Sequence, residues 1–118
     1  MKNELRPGKT SNYTKSGRPI MVLLELLGRK QTLRILWELR DEPATFRALQ
    51  ERCGGISPTI LNRRITEMRS SGMVEHQPSL GYTLTSEGTE LLVMLLPLRV
   101  WAEKWEKRIE SQDLDDIS

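Results

Sequence analysis

Apolar positions recur along this chain with two different periods. From Pro19 the run PIMVLLELLG is almost wholly apolar up to Gly28. Ile20, Leu23, Leu24 and Leu27 form a helical stripe that Met21, Val22 and Leu26 widen. A short helix this apolar is buried on most sides, in its own domain or against a second subunit. The spacing predicts a second helix from about Arg29 to Arg40, with Leu33, Leu36 and Trp37 in step, Ile35 and Leu39 beside them, and Trp37 in the core. Asp41, Glu42 and Pro43 stop it. Thr45 can cap a third helix whose Phe46, Leu49 and Cys53 share one side, with Arg47 and Arg52 on the outer side.

The stretch from Thr45 to Met73 organises the rest. Ser57 is an N-cap residue, Pro58 opens the helix where a missing N–H costs nothing, and Gly72 falls where a left-handed terminus belongs. Between them Leu61, Ile65 and Met68 point one way, to pack against Phe46, Leu49 and Cys53. At about 100° per residue, Thr59, Arg63 and Thr66 fall on the opposite face, with Asn62 on its shoulder. Bidentate Arg and Asn contacts, with threonine methyls against thymine, are the chemistry of the DNA major groove. An ordinary solvated helix can carry the same polar face, and helical hairpins are common. The residues beyond Gly72 tip the balance.

There the period shortens to two. Met73 to Gln77 and Tyr82 to Thr85 are strand-like, joined by Pro78-Ser79-Leu80-Gly81. A hairpin directly after such a helix is the wing of a winged helix. Ser86 can cap a last helix running to about Arg108, on which Leu91, Leu95, Leu98, Ala102 and Trp105 make a heptad seam. Leu92, Leu96 and Val100 form a second stripe, Trp101 continues the apolar surface, and Pro97 should kink the helix. One stripe can cover the domain core, and a second subunit most economically covers the other. A homodimer is therefore expected, with Ile20, Leu23, Leu24, Leu91, Leu95, Leu98, Trp101 and Trp105 as interface candidates.

Composition narrows the function. A chain of 118 residues is one domain. A single cysteine excludes a disulfide framework and an all-cysteine zinc site, which fits a reducing cytoplasm, and Cys53 is read as a small buried hydrophobe. No secretory signal and no apolar run long enough to span a membrane is evident. The net charge of +2 hides a division. Residues up to Arg18 carry Lys2, Arg6, Lys9, Lys15 and Arg18 against Glu4 alone, whereas the end carries Glu110, Asp113, Asp115 and Asp116. The expected organisation is a flexible basic arm over 1–17, a domain over 18–108 and an acidic tail over 109–118, the arm being able to touch phosphates or a minor groove. No paired carboxylates, glycine-rich phosphate loop, metal-ligand cluster or nucleophile with a histidine partner suggests an enzyme or a cofactor. His76, the only histidine, is read as an exposed hairpin residue near a phosphate.

The segments LLELLGRKQTLRILWEL, TFRAL, GISPTILNRRITEM, SGMVE and YTLTSEG, in this order, resemble the HxlR family of bacterial and archaeal winged-helix transcription regulators. The similarity runs from Arg18 to about Trp105, and ISPTILNRRITEM is its most specific part. It implies a mainly α fold with a small β-hairpin, a winged helix-turn-helix whose N- and C-terminal helices build a dimer on double-stranded DNA. Thr59, Asn62, Arg63 and Thr66 are then the base-reading candidates, and Arg47, Ser57, Arg64, Arg69 and His76 the phosphate candidates. Two departures stand out. Family members that sense oxidants carry a cysteine before the proline opening the first helix, where this chain has Arg18 before Pro19. The wing HQPSLGY is short and offers no Lys or Arg, unlike the longer basic wings of the family. A small-molecule effector has no identifying residue. The alternative reading is a winged helix that binds another protein and no specific DNA.

Overall fold

The computed structural model describes residues 18–117. Their elements are α1 (Pro19–Leu27), α2 (Thr32–Glu38), α3 (Phe46–Arg52), α4 (Pro58–Ser70), β1 (Val74–Gln77), β2 (Gly81–Leu84) and α5 (Ser86–Ile117). The expected basic arm lies outside these residues.

The helix pair α3–α4 is built by local chemistry. The Thr45 hydroxyl accepts the Ala48 N–H at 3.1 Å and the Ser57 hydroxyl accepts the Ile60 N–H at 3.4 Å, so both helices start on side-chain caps. Gly54 and Gly55, at φ 74° and 78°, carry the turn between them. At the end of α4, Gly72 adopts φ 81°, its N–H meets the Arg69 carbonyl at 3.1 Å, and the Met73 N–H meets the Met68 carbonyl at 2.9 Å. That pair of bonds is a Schellman motif, which satisfies carbonyls that would otherwise lack donors.

β1 and β2 pair antiparallel with Val74 opposite Leu84 and His76 opposite Tyr82. The connection turns through a Leu80 N–H to Gln77 carbonyl bond of 3.0 Å, and Gly81 at φ 102° absorbs the reversal. Tyr82 also exchanges both backbone bonds with Ala44, at 2.7 and 2.9 Å, so the segment before α3 pairs with the outer edge of the hairpin. A Cβ at Gly81 would lie 2.5 Å from the Ala44 carbonyl oxygen, which reserves that position for glycine. This third pairing is invisible to strand periodicity because one residue supplies it.

The core sits between α2, α3, α4 and the hairpin. Ile35, Leu36, Leu39, Ala44, Leu49, Cys53, Leu61, Ile65, Met68 and Val74 form one buried cluster, with Phe46, Tyr82, Leu84 and Leu91 packed on it. Cys53 is buried there as expected.

On α1 the buried residues are Val22 and Leu26, while Met21 and the interface candidates Ile20 and Leu24 are exposed. A helix apolar all round cannot reveal from spacing which side faces its own domain. Three expectations about the other helices are corrected. α2 begins at Thr32, not Arg29, because Gln31 takes a left-handed conformation at φ 74° that no helix can include. Thr85, not Ser86, caps α5: its hydroxyl accepts the Gly88 N–H at 3.0 Å and donates to the Gly72 carbonyl at 2.6 Å. Gly88 in turn packs its backbone on the Met73 carbonyl, leaving no room for a Cβ. Finally, α5 continues through Pro97 and past Arg108 to Ile117, so residues 109–117 extend the helix instead of forming a flexible tail. Its 32 residues span about 48 Å, most of the 57 Å longest dimension.

Candidate nucleic-acid interface

α4 presents two faces of opposite character. Leu61, Ile65 and Met68 are buried, which fixes the helix on the core. Thr59, Asn62 and Arg63 are exposed on the other side, and Thr66 is half-buried beside them. Among the described residues Arg63 and Arg69 take part in no ion pair, and both are exposed. Arg47, on α3, is 91% exposed and only grazes Glu51 at 4.0 Å. Those three guanidiniums are available to a polyanion.

Other candidates are already engaged. Arg64 is 11% exposed; its Nε donates to the Lys30 carbonyl at 2.8 Å and its Nη1 to Glu67 at 3.0 Å. It is turned into the α1–α2 turn, where a carbonyl and a carboxylate engage its Nε and Nη1. Arg52 likewise folds back on Glu42 at 3.1 Å and on the Glu38, Glu42 and Pro43 carbonyls. The exposed Ser57 hydroxyl accepts its capping bond and keeps its O–H as a donor. His76 is exposed on the wing and packs edge-on against Tyr82, ring centres 4.9 Å apart. The wing tip offers Pro78, Ser79 and an exposed Leu80, and no cation.

The interface candidates divide as well. Leu91 is half-buried against the core cluster and Leu23 is half-buried on α1. Ile20 and Leu24 on α1, and Leu98, Trp101 and Trp105 on α5, are exposed. The two tryptophans stack at 5.9 Å with an interplanar angle of 13°. Val93, Met94 and Val100 lie exposed on the same helix. Leu95 lies in a cleft of about 540 Å³ between α2 and α5, whose walls include Leu33, Trp37 and Leu92. Trp37 is therefore not the core residue expected: it is half-buried, between the guanidiniums of Arg40 at 3.9 Å and Arg99 at 4.7 Å. Arg40 stands only three residues beyond Trp37, whereas Arg99 reaches it because α5 packs across α2.

Burial pushes the Cys53 thiol pKa above its ordinary value, with Glu38 adding to the rise and Arg34 and Arg52 opposing it. Among the described residues no group of His, Cys, Asp and Glu could hold a metal ion, and no helix is long and apolar enough to cross a membrane.

A helix-turn-helix whose second helix ends in a two-stranded wing defines a winged helix-turn-helix, and comparison with known proteins agrees. The family model described as HxlR-like helix-turn-helix matches residues 26–110. The chain is 30% identical over 86 residues to the HTH-type transcriptional regulator YodB of Bacillus subtilis, covering 68% of this chain and 77% of that protein. It is 27% identical over 92 residues to the uncharacterized HTH-type transcriptional regulator MJ0925 of Methanocaldococcus jannaschii, covering 74% of this chain and 85% of that protein. Among solved structures, quinone-bound YodB from B. subtilis superposes with a TM-score of 0.67 at 30% identity, over 72% of this chain and 94% of that one. A possible HxlR family transcriptional factor from Thermoplasma volcanium superposes with a TM-score of 0.62 at 32% identity, over 72% and 82%. The chain belongs to the HxlR-like helix-turn-helix family.

Proposed function

We propose that this protein is a transcription regulator that binds specific double-stranded DNA as a homodimer, with α4 in the major groove. The observation that carries the proposal is the division of α4. Its apolar side is locked in the core while Thr59, Asn62 and the unpaired Arg63 face outward beside Thr66. Arg63 and Asn62 have the donors and acceptors for bidentate base contacts, and the threonines suit a thymine methyl. Arg69 and Arg47 flank this face and serve phosphates, with His76 a lesser contact from the wing. Transcriptional regulators among the relatives support the reading.

The exposed apolar side chains of α1 and α5 support the dimer. Ile20, Met21 and Leu24 on one helix and Leu98, Val100, Trp101 and Trp105 on the other are too many large exposed apolar groups for a free monomer surface. Two-fold symmetry then calls for an inverted repeat with half-sites about 34 Å apart.

Fluorescence anisotropy on DNA from the gene's own upstream region, beside a scrambled duplex and across a salt series, tests this. Tight, salt-dependent binding that prefers the native fragment is expected. Arg63→Ala should relax preference at one base position by about 1–3 kcal/mol, while Arg69→Ala should weaken all sequences alike. Absence of binding at low salt would overturn the reading and favour a protein partner, for which the uncharged wing with its exposed Leu80 is suited.

A further inference from the structure

Where α4 faces the turn between α1 and α2, three charged side chains close on one another. Glu67 receives Arg64 on Oε1 at 3.0 Å and Arg29 on Oε2. Arg64 also donates from Nε to the Lys30 carbonyl at 2.8 Å. Two residues of α4 thereby hold two consecutive residues of the turn, one through its side chain and one through its backbone. The three side chains are sheltered, at 18%, 11% and 16% exposure for Arg29, Arg64 and Glu67. Next to them Gln31 holds a left-handed backbone at φ 74°, a conformation that a non-glycine residue keeps only where its surroundings impose it.

We propose that Glu67 and Arg64 are positioning residues for DNA reading: they set the roll of α4 against the α1–α2 turn and do not touch DNA themselves. This rests on α4 being the reading helix. The remaining grip on α4 comes largely from Leu61, Ile65 and Met68, and apolar contact is non-directional. A hydrogen-bonded charge contact has a defined direction and tolerates little rotation. Arg63 and Thr66 immediately precede Arg64 and Glu67, so any roll that loosens the clasp moves the reading face with it. A roll of about 10° shifts a side-chain tip about 5–6 Å from the helix axis by about 1 Å. That is enough to spoil a bidentate contact to a base.

The test compares Glu67→Gln and Arg64→Gln with the wild-type protein on the upstream fragment and on a scrambled duplex across a salt series. Each variant is expected to lose about tenfold in discrimination between the two duplexes, the scale of one bidentate contact. The double variant should lose no more than either single one, as coupled residues do. Arg64→Gln should leave the salt slope on scrambled DNA unchanged. A slope lower by about one would make Arg64 a phosphate ligand and overturn the proposal, as would unchanged discrimination in both variants. Should Arg64→Gln fail to fold, Arg64→Lys keeps the charge but lacks the rigid fork that serves both acceptors, and should lose discrimination equally.

Amide hydrogen exchange separates the clasp from the reading of α4. Faster exchange in Glu67→Gln over residues 28–32 together with α4 supports the clasp, and unchanged exchange overturns it. A wild-type protein that fails to distinguish the duplexes would instead overturn the DNA reading, and the positioning role with it.

Discussion

Leu61, Ile65 and Met68 on α4 and Leu98, Trp101 and Trp105 on α5 share the same alternation of three- and four-residue steps. The first trio is buried; the second is exposed, Trp101 to 54%. Periodicity states which residues share a face, and whether that face is covered depends on what the rest of the chain brings to it. α4 meets α3, α2 and β1, whereas α5 beyond its first turns outruns the domain that its beginning covers. α1 repeats the contrast within a single short helix, with Val22 and Leu26 inside and Ile20, Met21 and Leu24 outside. One kind of face closes the helix-turn-helix within the chain, and the other is the face on which the proposed dimer rests.

The contrast can be broken at several points. Leu61→Ala removes a fully buried side chain from the centre of the helix-turn-helix and should cost about 2–5 kcal/mol of stability, measured by thermal or urea denaturation. Trp101→Glu touches the other face. It should leave the secondary structure intact by circular dichroism but weaken self-association by at least about thirtyfold, the cost of one aromatic anchor, read by sedimentation. A wild-type protein that sediments as a monomer at micromolar concentration would break the comparison outright.

Smaller effects sharpen it. Thr32 is fully buried at the start of α2, and its hydroxyl has no hydrogen-bond partner among the described residues. Thr32→Val removes that unsatisfied group at nearly constant shape and should raise stability by about 1 kcal/mol, seen as a higher melting temperature. Cys53 should react slowly with iodoacetamide at neutral pH and readily once the chain is unfolded in urea. Its thiol pKa is raised above the ordinary 9.0 in the folded chain, so its contribution to stability is full below that value. It declines as pH rises through 9.0 towards the folded pKa, because the unfolded chain gives up the proton first. Rapid labelling of the native protein would show the core beside the α3–α4 turn to be open.

Where the chain punctuates itself with residues that have one local use, the fold was legible. Ser57, Pro58 and Gly72 bracket α4, Thr45 starts α3, and the change of period after Gly72 marks the wing. Legibility failed where the outcome depends on distant partners. Arg64 and Glu67 stand three apart on one helix, a spacing at which a pair can be suspected, but Arg29 and the Lys30 carbonyl come from 34 or more residues away. Trp37 suits a core position by its size and apolar surface, yet α5 crosses it with Arg99 and leaves it lining a cleft. The α5 cap falls one residue before Ser86, since Thr85 is the one whose hydroxyl also meets the Gly72 carbonyl.

The amino-acid sequence by itself determined the order of elements, the capped starts of α3 and α4, the end of α4, and the polar and apolar sides of α4. Those are consequences of backbone preferences and of periodicity acting within a few residues. Tertiary structure alone decided which arginines stay available to DNA, which side of α1 turns inward and how far the aromatic face of α5 stands clear of the domain. Each of these is settled by groups far apart in the chain competing for the same donors and the same apolar surface, and no local spacing records the result.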